Sequence, residues 1–367
     1  MTYFPPAPSQ WAHVDPRDAG FDPDALRAAV DHAVSNETVW PLDLQDATAR
    51  GVFEPPPWNE PLGPFKNRGH VNGLIAKGGK IVAEWGMTDR VDMTFSITKS
   101  YVSTCAGLAY DDGLLPDLDE PVRERVPDPA FETPHNAAIT WRHLLQQTSE
   151  WEGELWGKPD MVDRNRDLTL EGANPNKGQA RPLSAPGTHW EYNDVRVNLA
   201  SYAIMRLVGR PLPELLKERI MDPIGASGSW EWNGYRNSWV ELNGRKMQSV
   251  SGGGHWGGGL FISSRDHARF GLLMLNRGRW EGKQLLSESW IEQAVTPCDI
   301  CPEYGFMWWL NTPGERFHAG TERSFFGSGA GGNVLWVCPE LDLVAVCRWL
   351  HKPAVNPWID TVRKAAS

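Results

Sequence analysis

The chain has 367 residues, of which 41% are hydrophobic, and a formal net charge of −10. This length supports one large domain or a domain with an insertion. The sequence contains no block of basic residues, which argues against nucleic-acid binding, and no apolar run of the ~18 residues that a membrane span needs. It begins at Met1 without a signal-peptide pattern, so we expect a complete cytoplasmic protein.

The five cysteines are unevenly spaced. Cys298 and Cys301 form a Cys-x-x-Cys pair, whereas Cys338 and Cys347 fall in two strand-like segments where small apolar residues are expected. A zinc site built from all four is a minor alternative, because the second pair lacks the spacing of a zinc knuckle. Reduced thiols are the default in a cytosolic protein, and we expect neither a metal nor an organic cofactor.

The 19 tryptophans are the strongest oddity of the composition. Packing accounts for most of them, but aromatic side chains also dominate ligand clefts, so some are expected to line a pocket. Five tryptophans are candidates for the pocket wall: Trp151, Trp156, Trp256, Trp308 and Trp309. For Trp308 and Trp309, core packing is the favoured role.

The N-terminal part predicts a helix, an irregular arm and a hairpin. Asp22-Pro23 is typical of a helix N-cap followed by proline, and the helix is expected to continue to Ala33. Residues 40–68 are rich in proline and predict the irregular arm. Residues 70–77 and 80–85 predict two strands joined by a tight Gly-Gly turn, and a helix is expected from Ser96 to near Gly113.

The strand signal fades between residues 115 and 250, which indicates a mostly helical insertion. Helices are expected over residues 140–147, 194–208 and 213–221, and residues 151–186 form a polar loop. After residue 250 the strand signal returns, and helices are predicted as well. Helices are predicted over 264–275, 286–295 and 357–366, and strands over 305–310, 324–327, 333–337 and 343–350.

These elements predict an α+β fold in which both chain ends contribute to one antiparallel sheet flanked by helices. The expected division is an N-terminal part of the α/β domain at residues 1–114, the helical insertion at 115–250, and the C-terminal part of the α/β domain at 251–367.

Ser96-Ile97-Thr98-Lys99 lies where an extended segment gives way to the helix. A serine hydroxyl needs a base to become a nucleophile, and a lysine one helical turn away can serve if its pKa is lowered. The helix start also offers N–H groups to an oxyanion. The motif alone is equally typical of a serine N-cap beside a solvated lysine.

Two further segments have catalytic character. A turn at Pro186-Gly187 delivers Tyr192 just before a helix, and a phenol close to a lysine ammonium can relay protons. Gly327-Ser328-Gly329 belongs to a glycine-rich stretch before a strand, where backbone can approach a ligand closely. A half-buried tyrosine and a flexible turn are the plain alternatives.

The three motifs, in this order and about a hundred residues apart, resemble the serine β-lactamase-like superfamily, which includes class C β-lactamases, DD-peptidases, family VIII carboxylesterases and nylon-oligomer hydrolases. The similarity extends from about Asn72 to Arg348. It implies a β-lactamase/transpeptidase-like fold, an antiparallel sheet flanked by helices with an inserted mostly helical domain.

The resemblance implies a role for each matching residue. Ser96 corresponds to the acylated nucleophile, Lys99 in its neutral form to the base, and Tyr192 to the proton shuttle for the leaving group. The backbone N–H groups of Ser96 and Ala330 would form the oxyanion hole. A Ser-His-Asp triad is disfavoured because no Gly-x-Ser-x-Gly elbow is present.

Two departures from the superfamily pattern bear on the substrate. Asp194 replaces an asparagine and Gly327 replaces a lysine that helps hold a substrate carboxylate. The sequence therefore favours neutral esters over penicillins or D-Ala-D-Ala peptides. The candidate substrate-binding residues are Asp194, Ser328, Gly329, Trp151, Trp156, His255, Trp256 and Arg323. His318, which like Arg323 precedes the glycine-rich turn, could also bind a polar group of the substrate.

We expect a carboxylesterase acting on small or medium neutral esters. The alternatives are an amidase, peptidase or nylon-oligomer hydrolase, and a weak β-lactamase. Two readings of another class are a penicillin-binding-like sensor that does not turn over and a partner scaffold. The expected partner is a small ester or amide, not a nucleic acid or a membrane, and the sequence does not indicate an oligomeric state.

Overall fold

A six-stranded antiparallel sheet forms the centre of the protein, which a computed structural model describes over residues 3–6, 10–170, 174–312 and 314–366. The strands within these residues are β1 Asn72–Lys77, β2 Lys80–Trp85, β3 Asp92–Met93, β4 Glu154–Leu155, β5 Lys158–Pro159, β6 Glu231–Leu242, β7 Arg245–Val250, β8 Gly259–Ile262, β9 Arg279–Trp280, β10 Lys283–Gln284, β11 Trp309–Leu310, β12 Phe325–Gly329, β13 Asn333–Cys338 and β14 Leu343–Arg348. The central sheet has the order β11-β12-β13-β14-β1-β2, so the two chain ends meet at its middle, as the sequence predicts.

Helices cover both faces of this sheet. Their bounds are α1 Pro23–Ser35, α2 Leu44–Ala49, α3 Thr98–Asp111, α4 Val122–Arg125, α5 Trp141–Leu145, α6 Asp194–Val208, α7 Leu212–Leu216, α8 Ser264–Leu275, α9 Glu288–Ala294 and α10 Val355–Ala365. A π-helical turn at Lys217–Met221 continues α7. The terminal helices α1 and α10 pack together on one face, and α8 packs on the other.

The alternation of side chains along the central strands explains this layering. In β13, Leu335 and Val337 contribute to the core shared with α3 and α8, whereas Trp336 contributes to the core shared with α1 and α10. Successive side chains of a strand point to opposite faces, so a sheet covered on both faces reads as a continuous apolar run. Cys338 and Cys347 both lie in the second core as buried free thiols, and the described residues contain no group of three or more His, Cys, Asp or Glu that could hold a metal ion.

The expected loss of strands between residues 115 and 250 is wrong. β6 and β7 form a hairpin that pairs through β8 with β3 in a second, four-stranded sheet, and β4 and β5 form a small hairpin. The strands β6 and β7 carry exposed charged residues and a register shift between Gly234 and Trp239, which masks their alternation in the sequence. The division at residues 114 and 250 stays a prediction.

The two sheets and the helices bring the start of α3 to the centre of the molecule. β3 leads directly into a 3₁₀ turn at Phe95–Ile97, and this turn contacts β8, β12 and β13. No helix in the described part of the chain is long and apolar enough to span a bilayer.

Candidate active site

Ser96 lies in the 3₁₀ turn immediately before α3, with its side chain partly open to a cavity. Phe95, the residue before it, has a left-handed backbone with φ of +48°, an unfavourable conformation for an aromatic residue that packing must maintain. Part of that packing comes from Gly253, because a Cβ at this position would lie 2.0 Å from the carbonyl oxygen of Phe95. The turn carrying Ser96 is therefore held by close backbone contacts.

Lys99 is buried beneath Ser96, one turn into α3. Its Nζ donates a hydrogen bond to Ser96 Oγ at 2.8 Å and another to the carbonyl oxygen of Gly252 at 3.3 Å. The spacing of three residues within the turn and helix brings the two side chains together, as the sequence predicts.

The carboxylate of Asp194 holds Lys99 as a cation. Asp194 Oδ1 lies 2.6 Å from Lys99 Nζ, and Oδ2 accepts a hydrogen bond of 3.0 Å from Arg166. Burial opposes the charge on Lys99, but Asp194 and Tyr192 outweigh it, and the pKa of Lys99 is raised above its usual value. Burial likewise opposes the charge on Asp194, yet Lys99 and Arg166 hold its pKa below the usual range. The neutral Lys99 expected from the sequence is therefore not the resting state.

A chain of buried ion pairs continues from Asp194 to the edge of the cavity. Arg166 also lies 3.7 Å from Asp163, and Asp163 lies 3.1 Å from Lys177. Lys177 in turn binds Glu54, whose carboxylate is 3.3 Å from His255 Nδ1. These charges compensate one another, which makes their burial tolerable.

Tyr192 lies beside Lys99 at the start of α6. The backbone N–H of Glu191 donates to the carbonyl of Gln147, and the N–H of Asn193 donates to the side-chain oxygen of Gln147, so the residues on both sides of the tyrosine are fixed. Lys99 Nζ is 4.9 Å from the centroid of the Tyr192 ring. Within the described residues the phenolic oxygen of Tyr192 makes no hydrogen bond, which leaves it able to bind a substrate atom.

The glycine-rich end of β12 lies against the turn that carries Ser96. A Cβ at Gly327 would lie 2.7 Å from Cγ2 of Ile97, and one at Gly329 would lie 2.2 Å from the carbonyl oxygen of Thr94. Only glycine permits this approach, which places Ser328, Gly329 and Ala330 on the wall of the cavity that contains Ser96.

The cavity has a volume of about 780 Å³. Its wall includes the side chains or backbone of six residues predicted from the sequence to belong to the site. These are Ser96, Tyr192, His255, Ser328, Gly329 and Ala330. The oxyanion-hole roles of Ser96 and Ala330 stay predictions.

Five of the predicted substrate-binding residues do not line this cavity. Trp151 is buried and donates its indole N–H to Ala130, and Trp256 donates its own to Trp58. Trp156 packs edge-on against Tyr202.

Asp194 and Arg323, which were also expected to bind substrate, are engaged in ion pairs with other residues of the protein. Asp194 is engaged by Lys99 and Arg166 and lies behind the cavity wall. Arg323 is exposed and paired with Glu340, and His318 is exposed and also outside the cavity. None of these three residues lines the cavity that contains Ser96.

Two arginines and one tryptophan of the cavity wall differ from the expectation. Arg166 and Arg316 both line the cavity although no sequence motif predicts them, and Trp309 lines it although the sequence favours a packing role. Trp309 stacks on Tyr192 with a centroid distance of 5.6 Å and an interplanar angle of 22°. The arginines lie in loops without a motif; the only signal for Arg166 is the high charge of the 151–186 loop.

The sheet with helices on both faces and the Ser-x-x-Lys turn beneath β12 together define a β-lactamase/transpeptidase-like fold. The family model for Beta-lactamase matches residues 68–347, and the chain belongs to this family of serine hydrolases. The 6-aminohexanoate-dimer hydrolase of Paenarthrobacter ureafaciens is 23% identical over 304 residues, which cover 74% of this chain and 70% of the relative.

Two solved structures show the same fold over most of the chain. A family VIII carboxylesterase is 17% identical with a TM-score of 0.57, and the match covers 88% of this chain and 96% of that one. A D-stereospecific amidohydrolase from Streptomyces sp. is 18% identical with a TM-score of 0.58, and the match covers 94% and 98%. At these identities the likeness concerns the fold alone.

Proposed function

We propose that the protein is a serine hydrolase that forms an acyl-enzyme on Ser96, and that its preferred substrates are esters of small or medium acyl groups. The hydrogen bond of 2.8 Å between Lys99 Nζ and Ser96 Oγ, at the wall of a substrate-sized cavity, carries this proposal. Trp40 and Phe53 add an apolar wall suited to an acyl chain.

The proposed reaction has two steps. Lys99, after loss of its proton, accepts the proton of Ser96 as Oγ attacks the carbonyl carbon, and the backbone N–H groups of Ser96 and Ala330 stabilise the oxyanion by about 3 kcal/mol per donor. The proton then passes through Tyr192 to the leaving group as the carbonyl–leaving-group bond breaks. Water attacks the acyl-enzyme, releases the acid and restores Ser96.

An amide is the second candidate substrate. The relatives named as a dimer hydrolase and an amidohydrolase support it, and Tyr192 has a free hydroxyl that can protonate an amine leaving group. A β-lactam ranks third, because Gly327 leaves no lysine at the position where the superfamily holds a substrate carboxylate.

The test is hydrolysis of p-nitrophenyl butyrate together with labelling by a fluorophosphonate probe. Wild type should turn over the ester and be labelled on Ser96, and Ser96→Ala should lose both. Ser328→Ala, which removes the other serine of the cavity wall, is the matched control and should still be labelled. Labelling of Ser96→Ala at the wild-type rate would refute the proposal, and labelling of Ser96 without turnover of esters or amides would favour a sensor.

We also propose a cytoplasmic location. All five cysteines are free thiols, which is the usual state in a reducing compartment. Fractionation of the cells that produce the protein would test this.

A further inference from the structure

Arg316 provides a cation in the cavity that the proposed reaction does not use. It lies between β11 and β12 and lines the same cavity as Ser96. Its guanidinium carbon is 3.7 Å from the centroid of the Trp309 ring, and Trp309 stacks in turn on Tyr192. The Trp309 ring therefore connects this guanidinium to Tyr192, the residue that is proposed to protonate the leaving group.

The guanidinium of Arg316 has no anionic partner in the part of the chain that the structure describes. Arg166 and Lys177, the neighbouring cations of the cavity wall, are both neutralised by buried carboxylates. Glu303 is the carboxyl group that most favours the charge on Arg316, but no ion pair or hydrogen bond joins the two. Arg316 is thus a cation of this wall that makes no ion pair with the described residues.

The partial burial of Arg316 adds a cost to this charge. Desolvation lowers the pKa of Arg316, with Arg166 adding repulsion, although an arginine stays protonated at neutral pH. A partly desolvated cation without a partner is unfavourable, and an anion brought by a ligand would reduce that cost. Stacking occupies the face of a guanidinium and leaves its edge N–H groups for two parallel hydrogen bonds, the geometry that suits a carboxylate.

We propose that Arg316 is a specificity residue that binds a carboxylate on the leaving-group part of the substrate. This inference rests on the proposed hydrolase function and narrows its substrate class from neutral esters to esters or amides of a hydroxy or amino acid. The leaving-group side follows from the position of Arg316, because its contact with the site runs through Trp309 to Tyr192. The residue also supplies, from another loop, the positive charge that Gly327 does not provide.

The experiment compares matched substrates that differ only in the carboxylate. Acetate esters of linear ω-hydroxycarboxylic acids of graded chain length are assayed beside their methyl esters, with release of acetate as the readout. At the best chain length, wild type should show a kcat/KM for the free acid about 10- to 100-fold above that of the methyl ester, as expected for a charge-assisted hydrogen-bonded pair.

Arg316→Gln should lower this ratio by about 10-fold or more, whatever its effect on the absolute kcat/KM values of the two substrates. Arg316→Lys keeps the charge without the paired N–H groups and should recover part of the ratio. Arg323→Gln removes the same charge from the same loop outside the cavity, so its ratio should stay at the wild-type value.

Three outcomes would overturn the inference while leaving the hydrolase function intact. Wild type could favour the methyl ester at every chain length, Arg316→Gln could keep the wild-type ratio, or Arg323→Gln could lower the ratio as much as Arg316→Gln does. Failure of the hydrolase function itself would be seen separately, as no acetate release from either substrate and no labelling of Ser96 by the fluorophosphonate probe.

Discussion

The carboxylate of Asp194 and the ammonium of Lys99 form an ion pair of 2.6 Å in which both side chains are almost completely buried. Asparagine at this position would offer a hydrogen bond but no charge. The aspartate therefore changes the electrostatics of the Ser-Lys pair, since it stabilises the protonated amine that must become neutral before it can accept a proton from Ser96.

Asp194→Asn should shift the acidic limb of the pH profile toward lower pH. Lys99 works as a base only above its pKa, and Asp194 raises that pKa, so wild type should gain activity only at alkaline pH. Removal of the carboxylate lowers the pKa of Lys99 and should move the limb of kcat/KM for p-nitrophenyl butyrate down by about one pH unit or more.

Asp163→Asn is the control for this shift. It removes a buried carboxylate that accepts a hydrogen bond of 2.8 Å from the backbone N–H of Asp194 and pairs with Arg166 and Lys177. No ion pair or hydrogen bond joins Asp163 to Lys99 within the described residues, and the carboxylate of Asp194 remains in this variant. The limb should stay close to the wild-type position in this variant. An unchanged limb in Asp194→Asn would show that Lys99 is not the base whose ionisation limits the reaction.

Lys99→Arg should abolish turnover as thoroughly as Lys99→Met does. An arginine keeps the positive charge beside Asp194 but does not lose its proton in the working pH range, so it cannot serve as the base. We expect both variants to lose about 10²- to 10⁴-fold in kcat, the usual contribution of a general base. Rates of fluorophosphonate labelling check the first step alone. Activity of Lys99→Arg within tenfold of wild type would transfer the base role to another group, with Tyr192 the first candidate.

The sequence predicts the regular parts of the fold well where capping residues are present. The predicted bounds of α6 and α8 agree with the structure, because Asn193 and Ser263 accept hydrogen bonds from the first turn of each helix. The hairpin of β6 and β7 was missed because exposed polar residues and a register shift interrupt its alternation.

The site divides in the same way. Ser96, Lys99 and Tyr192 sit at element boundaries with recognisable motifs, and the structure brings them together. Arg166 and Arg316 reach the cavity from loops, where the distance between residues in space depends on the whole chain and no short-range pattern reports it. The tryptophans could not be assigned from the sequence for a related reason. Trp151 and Trp309 are both buried, but Trp309 lines the cavity and Trp151 does not.

Glu150 should contribute stability that disappears in acid. Burial opposes its charge, but Arg181 and Arg196 more than offset this and lower the pKa of the carboxyl from 4.5 to about 2. A carboxyl whose pKa is lower in the folded state stabilises the protein above its unfolded pKa, and this contribution is lost as the pH falls through the folded value. The relevant interval is therefore between about pH 4.5 and about pH 2.

Glu150→Gln should lower the free energy of unfolding by about 3 kcal/mol at pH 7, since it leaves two arginines with weakened pairing. Urea unfolding of both proteins at a series of pH values should show the difference shrinking below about pH 4.5. Glu152→Gln, at an exposed neighbouring position, should cost less than about 0.5 kcal/mol at any pH. A difference for Glu150→Gln that stays constant from neutral pH to about pH 2 would contradict the charge-based explanation.

A side chain cannot be added at Gly327 without displacing Ile97. The nearest atom to a new Cβ is Cγ2 of Ile97, a branched side chain with little rotational freedom that is fully buried next to Ser96. Gly327→Ala should therefore lower the free energy of unfolding by about 1–3 kcal/mol through overpacking and should also lower kcat/KM, because the strain falls on the turn that carries Ser96. Gly327→Lys should show at least the same loss.

A double-mutant cycle isolates this contact. Ile97→Ala alone should cost about 2–5 kcal/mol through the cavity that it leaves, but Gly327→Ala in that background should cost less than in wild type, because the clashing methyl group is gone. We expect an interaction free energy of at least about 1 kcal/mol from urea unfolding. Ile220→Ala, which empties a buried site in the π-helical turn after α7, should add to Gly327→Ala within about 0.5 kcal/mol. If the pair with Ile97 is as additive as this control, the steric account of Gly327 is wrong, and the superfamily's lysine was lost here for a reason other than space.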